Sequence, residues 1–170
     1  TLLVGNEKAL LIDTACGNYD LAGLVQNLTD KPLTVVLTHG HGDHAGGVFQ
    51  FETVWCHPLD HDMVRNMTDE QVNGYCETMK KNDQNTFFDT SRQRLPGPHP
   101  CPTLLPLSDG QEFDLGGRTV TVHHTPGHTK GEVVLIDHQS RILFSGDAVN
   151  SNLGIFGTSL ETALRGLQHL

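Results

Sequence analysis

Long apolar runs are missing from this 170-residue chain. Nothing approaches the roughly 20 consecutive apolar residues that cross a bilayer, and no basic segment leads into an apolar one at the start. Membrane insertion is therefore not expected, and the chain reads as soluble and cytoplasmic. Positive charge is also scarce: 11 Lys and Arg stand against 20 Asp and Glu, a formal charge of −9. Such a balance repels phosphate backbones and anionic lipid, which argues against nucleic acid as a partner. Cysteine occurs at Cys16, Cys56, Cys76 and Cys101 but never as Cys-x-x-Cys. Neither a zinc knuckle nor a dithiol redox pair is indicated, and reduced, buried thiols are expected. An initiator Met is lacking too, and Thr1-Leu2-Leu3-Val4 reads as a start inside a strand, so truncation at the front is expected.

What is present suffices for one globular domain spanning 1–170, since 36% of the residues are hydrophobic and only 18% charged. Ala9 to Ile12 reads as a strand, followed by Leu21, Leu24, Val25 and Leu28 on one helix face. Lys31-Pro32 breaks that helix. Leu33 to Leu37 is a continuous β-branched and Leu run, as in a strand buried on both faces. Thr53 to Cys56 is another short strand, and Thr68-Asp69-Glu70-Gln71 is a capping box opening a helix with Val72, Tyr75, Cys76 and Met79 along one side. Periodicity fails from about Asn82 to Pro106, where five prolines mark a long loop, and the stretch of about 57–106 reads as a lid-like insertion. Beyond it the pattern turns to β: alternation from Arg118 to Thr125, then Val133 to Ile136 and Ile142 to Ser145, with turns at Asp109-Gly110 and Gly116-Gly117. Ser159 then opens a final amphipathic helix through Leu160, Ala163, Leu164 and Leu167. Two unequal halves, each with strands and helix, predict two sheets face to face with helices outside.

His39-Gly40-His41-Gly42-Asp43-His44 concentrates three imidazoles and a carboxylate in six residues at the end of a buried strand, with glycines that let the backbone curl. This is metal-ligand chemistry by type and spacing. A catalytic zinc-type site takes about three protein ligands and keeps a position for water, whose pKa falls toward 7. His39 and His41 supply two, and His128, at the Thr125-Pro126-Gly127-His128 turn after an alternating strand, is placed to be the third. His123 and His124 lie inside that strand, where one packs inward and the other faces solvent. Asp147, at the end of another strand, offers a carboxylate able to bridge two metals or to cap a turn.

The ordered set His39-x-His41-x-Asp43-His44, then His128, then Asp147, with the approach Leu11-Ile12-Asp13-Thr14, resembles the metallo-β-lactamase superfamily over most of the chain. The resemblance implies an α/β (α+β) fold, a four-layer αββα sandwich with the metal site at one edge between the sheets. It further implies that His39, His41 and His128 hold a first metal, that Asp43 and His44 form part of a second site, and that Asp147 bridges the two. Zn²⁺, one or two ions, is the expected cofactor, with Fe or Mn as alternatives.

Two departures sharpen this. Glyoxalase II and lactonase members carry a further histidine after the helix that follows the bridging Asp, whereas this sequence ends in that helix, with His169 inside its pattern. Truncation at both ends is the expectation. The familiar β-lactam-hydrolysing members place a Cys, or no bridging carboxylate, where Asp147 stands, so the glyoxalase II and lactonase branch of metallo-hydrolases is the better match. The glutathione-binding helical domain of glyoxalase II is absent from this sequence.

The expected activity is hydrolysis of an ester, thioester, lactone or amide in a small-molecule substrate by a metal-bound hydroxide, with Asp43 orienting or deprotonating the water. Asp13 is placed either to support a ligand imidazole or to cap a buried turn. His57, His61 and His99 lie in the insertion and read as surface histidines or substrate contacts. Competing expectations on the same fold are a mono-iron or di-iron oxidoreductase of the persulfide dioxygenase type and a phosphodiesterase or ribonuclease. The flavodiiron type usually carries Glu at the position of His41, and a nuclease calls for a basic surface. Oligomeric state leaves no signal in the sequence.

Overall fold

Strand parity explains how the chain buries itself. In β2 (Ala9–Ile12), Leu10 and Ile12 join one apolar cluster while Leu11 joins another. In β3 (Leu33–Val36), Val36 likewise belongs to the first cluster and Val35 to the second. Alternate residues point to opposite faces, so a strand apolar at every position is one covered on both sides. The computed structural model describes residues 1–82, 93–149, 154–156 and 158–168, apart from the side chains of Met79 and Asn82.

These strands lie in a five-stranded sheet ordered β1-β2-β3-β4-β5, with β1 at Leu2–Val4, β4 at Thr53–Cys56 and β5 at Thr103–Pro106. Only β1 runs antiparallel to its neighbour; β2 through β5 pair in parallel. Parallel neighbours need crossovers, and α1 (Leu21–Leu28) supplies the first. The second sheet is an antiparallel meander of β6 (Glu112–Asp114), β7 (Thr119–His124), β8 (Val133–Asp137) and β9 (Ile142–Phe144). Gly116 and Gly117 join β6 to β7 with φ of +83° and +71°, a left-handed pair that glycine adopts without steric penalty.

Val120, Val122, Val133 and Leu135 of the second sheet meet Leu10, Ile12 and Val36 of the first in one core. On the outer face of the first sheet, Leu11, Val35 and Val54 pack with Val25 of α1 and with Ala45 and Val64. The last two belong to α2 (Gly42–Ala45) and α3 (His61–Arg65). The last helix, α5 (Leu160–Gln168), sets Ala163 against the Gly127 turn that follows β7. The order helix, sheet, sheet, helix agrees with the architecture expected from the sequence.

Between β4 and β5, α3 is followed by α4 (Asp69–Asn82). The capping box forms: Gln71 N–H donates to Thr68 Oγ1 at 3.2 Å and Thr68 N–H to Gln71 Oε1 at 2.9 Å. At the far end of the 57–106 stretch, β5 is an edge strand of the first sheet. The loop before it is fastened down by Arg94, whose guanidinium donates twice to Gly46 O, at 3.0 and 2.7 Å, and once to Asp69 at 2.7 Å.

An ion pair on a buried carboxylate anchors the other sheet. Asp137, fully buried at the end of β8, accepts from Arg118 Nε and Nη2 at 3.1 and 2.7 Å and also from Ser140 Oγ. Burial pushes its pKa up, but these donors outweigh burial and hold the carboxyl down at about 2. A carboxylate with a depressed folded-state pKa adds stability above its unfolded value near 3.9, and that stability is lost as pH falls toward 2. Urea unfolding should therefore show wild type losing roughly 2 kcal/mol from this group between about pH 5 and pH 2, a component absent from Asp137→Asn.

Candidate metal centre

The six residues of the histidine motif do not form a loose loop: α2 begins inside it, with His41 at the cap and Asp43 and His44 in its only turn. This winding needs glycine at position 40, because a Cβ there would lie 2.9 Å from Met63 Cβ. His39 precedes the turn and is 1% exposed. The β7–β8 connection of the second sheet brings in His128, and the turn after β9 brings in Asp147.

His39, His41 and His128 present ligand-type atoms that all lie within 4.8 Å of one another, and so do His39, His44 and Asp147. His41 Nδ1 is 2.8 Å from His128 Nε2, and His128 Nε2 is 3.3 Å from Asp147 Oδ2. On the other side, His44 Nε2 lies 3.6 Å from Asp147 Oδ1 and 3.9 Å from Asp43 Oδ2. The sequence-nominated residues thus converge from separate elements on one point at the edge between the two sheets.

Buried polar atoms are almost always paired. His39 Nε2 is buried with no hydrogen-bond partner among the described residues, while its Nδ1 lies 3.1 Å from Thr38 Oγ1. Burial, reinforced by the three neighbouring imidazoles, pushes the pKa of His39 far down. Burial, with His128 next to it, also lowers that of His41. Neutral imidazoles are the form that binds metal. Burial also works against a charged His44, yet its hydrogen bond to Asp13 and the charges of Asp13, Asp43 and Asp147 prevail and raise it to about 9. That part of the cluster favours positive charge. An orphaned inward nitrogen, neutral imidazoles and a carboxylate-rich second half together suit a divalent cation.

Supporting contacts fix the orientation. Asp13, at φ +62°, bonds His44 Nδ1 at 2.9 Å and accepts from Thr38 N–H at 2.8 Å, so it supports an imidazole as well as bracing a turn. Gly154 O holds His128 Nδ1 at 2.8 Å, which leaves Nε2 facing the cluster. The sequence reading missed two buried carboxylates. Glu132, wholly buried, accepts from His128 N–H at 3.2 Å and Asp147 N–H at 3.0 Å, and burial raises its pKa to about 8. Asp60, also wholly buried, accepts from Gly40 N–H, Thr129 Oγ1 and Gly131 N–H at 2.7–3.0 Å. It ties the loop carrying His41 to the loop carrying His128.

The other described histidines lie apart from the cluster. His57 stacks on His124 with ring centroids 4.0 Å apart. His61 bonds Cys56 O at 2.9 Å, and His99 pairs with Asp69 at 2.9 Å. His123 belongs to neither ligand group. His169 falls outside the described residues. Three cysteines are buried as free thiols, and Cys101 is exposed.

A family model described as the metallo-beta-lactamase superfamily matches residues 1–167. The chain belongs to the metallo-β-lactamase superfamily. Within that superfamily it is 34% identical over 161 residues to the human acyl-coenzyme A thioesterase MBLAC2, an alignment covering 87% of this chain and 57% of the relative. The chain therefore spans little more than half the length of that relative. An atrochrysone carboxyl ACP thioesterase of Aspergillus fumigatus is 31% identical over 154 residues, which covers 88% of this chain and 29% of that enzyme. Among solved metallo-β-lactamase folds, TTHA1623 in a di-iron-bound form superposes with a TM-score of 0.68 at 26% identity, covering 99% of this chain and 78% of that one.

Proposed function

We propose that this chain carries the metal centre of a hydrolase that cleaves acyl thioesters. The observation that carries the reading is the convergence of His39, His41 and His128 around a buried imidazole nitrogen with no partner among the described residues. The named thioesterase relatives favour a thioester among the carbonyl substrates.

In this reading His39, His41 and His128 hold one divalent cation, zinc in preference to iron or manganese, while Asp43, His44 and Asp147 contribute to a second. Such a cation lowers the pKa of water and polarises the substrate carbonyl. Everything else falls to the chain itself. His41, Asp43, Tyr75, His128, Asp147 and Phe156 line a cavity of about 410 Å³, the space in which the thioester carbonyl is placed. The Asp43 carboxylate is about one-third exposed to that space and orients the attacking water or accepts its proton. Burial, with the nearby charges of Asp43 and Asp147, raises the pKa of Tyr75, so its hydroxyl stays protonated and able to donate to a carbonyl oxygen. The Phe156 ring stands edge-on to His41 and His128, at 6.3 and 5.3 Å between centroids, and forms an apolar part of that wall. Helices α3 and α4, within the 57–106 stretch, wall the approach.

The test is a substrate panel run on metal-loaded protein: acyl thioesters, a lactone, a phosphodiester, and a persulfide with oxygen uptake recorded. Thioester hydrolysis at a rate well above the others is the expected result. One bound iron per chain with oxygen uptake on the persulfide would replace this reading with a dioxygenase.

A further inference from the structure

Beside the metal cluster a second cavity, of about 420 Å³, opens between α3 and α4, within the roughly 300–1,000 Å³ range of small-molecule sites. It shares His41 and Tyr75 with the cavity that holds Asp43 and Asp147, so the two spaces meet at those side chains. Met63 and Met67 line one side, and methionine adapts its shape to flexible apolar ligands. Apart from His41, no lining residue is of an ionisable acidic or basic type other than the phenol of Tyr75. Asn66, Gln71 and Thr78 add neutral polar groups but no charge, so the wall suits an uncharged chain rather than a phosphate or carboxylate.

Gly74 sits in the middle of α4, and it, Tyr75 and Thr78 follow Gln71 by three, four and seven residues, a spacing that aligns the four on one helix face. Its neighbours Gly40 and Gly42 are hemmed in by Met63 and Tyr75, but a Cβ added at Gly74 would meet nothing within 4 Å. Packing therefore does not require glycine there, and glycine inside a helix weakens it relative to alanine. What its small size does is leave the cavity open.

We propose that this cavity receives the acyl chain of the substrate and that Gly74 sets the length of chain accepted. The assignment rests on the thioester reading above, which it deepens. An acyl chain entering past Met63 and Met67 leaves the carbonyl at the His41–Tyr75 junction, next to Asp43 and Asp147.

The experiment compares wild type with Gly74→Leu and Gly74→Ala. Calorimetry measures binding of butyl, octyl and dodecyl thioethers of N-acetylcysteamine to metal-free protein, and kcat/KM is measured for the matching acyl thioesters on the metal-loaded protein. In wild type, affinity should rise about two- to fourfold per added methylene until the cavity is full. Gly74→Leu should lower the octyl-to-butyl affinity ratio by about tenfold or more, with a smaller shift for Gly74→Ala, and both variants should melt no lower than wild type. Affinity that is flat with chain length, or octyl and butyl weakened equally by Gly74→Leu, overturns the proposal. Length-dependent binding without hydrolysis of any thioester keeps the alkyl-chain site and removes the thioesterase reading. Hydrolysis indifferent to chain length and to Gly74 does the reverse.

Discussion

Replacing His39 with alanine is expected to abolish metal-dependent thioester hydrolysis, with a loss in kcat/KM above about a thousandfold. Losing a residue that merely supports a ligand costs about 10–100-fold in metal affinity or activity, and His39 stands in both candidate ligand groups. Its Nε2 is buried without a partner among the described residues, so its removal takes a donor from both halves of the cluster at once. The side chain is almost fully buried, so the alanine variant also loses packing; its melting temperature has to be followed alongside bound metal. A folded variant that binds no metal and turns over no thioester is the expected outcome. Retained activity in a folded His39→Ala protein would place the chemistry elsewhere.

The second large effect concerns a residue with no part in holding substrate. Glu132→Ala removes the acceptor for two backbone N–H groups, those of His128 and Asp147. A buried donor left unpaired costs about 1–3 kcal/mol, and two of them plus the vacated volume come to roughly 3–5 kcal/mol. Total stabilities of natural domains are about 5–15 kcal/mol, so this variant should lie near the margin of folding. Glu132→Gln retains one acceptor oxygen and turns an amide N–H₂ toward the other donor; an intermediate loss is expected, with metal affinity down about 10–100-fold. Urea unfolding together with metal titration separates the two contributions. A Glu132→Ala protein within about 1 kcal/mol of wild type would show that the paired N–H groups find other acceptors.

The contrast between His39 and Glu132 shows which parts of the molecule were readable from the sequence. The strands were readable because each carries its own evidence: Leu33 to Leu37 consists of Leu and β-branched residues throughout, and both faces of β3 are indeed covered. The histidine motif was readable because four donors fall within six residues. His128 and Asp147 stood at strand ends where a turn exposes them. Glu132 and Asp60 act differently, through carboxylate contacts to backbone N–H groups of Asp147 and Gly40, 15 and 20 residues away. A backbone donor has no side-chain identity, so no spacing rule announces its partner. Arg94 escaped for the same reason, because its targets are the carbonyl of Gly46, 48 residues earlier, and the Asp69 carboxylate. Asp13 was left between two roles and fills both, since one carboxylate serves His44 and the Thr38 backbone together. The α2 turn inside the motif went unpredicted because His-Gly-His-Gly-Asp-His has neither apolar periodicity nor strong helix formers.

Metal dependence is the claim on which the functional reading stands. The direct measurement strips the protein with a chelator and titrates zinc back while bound metal and hydrolysis of an acyl thioester are recorded on the same samples. Hydrolysis should be absent from the stripped, folded protein and should return in proportion to bound zinc, levelling off at one or two ions per chain. Full hydrolysis by the stripped protein, or a folded protein that takes up no metal, would contradict it.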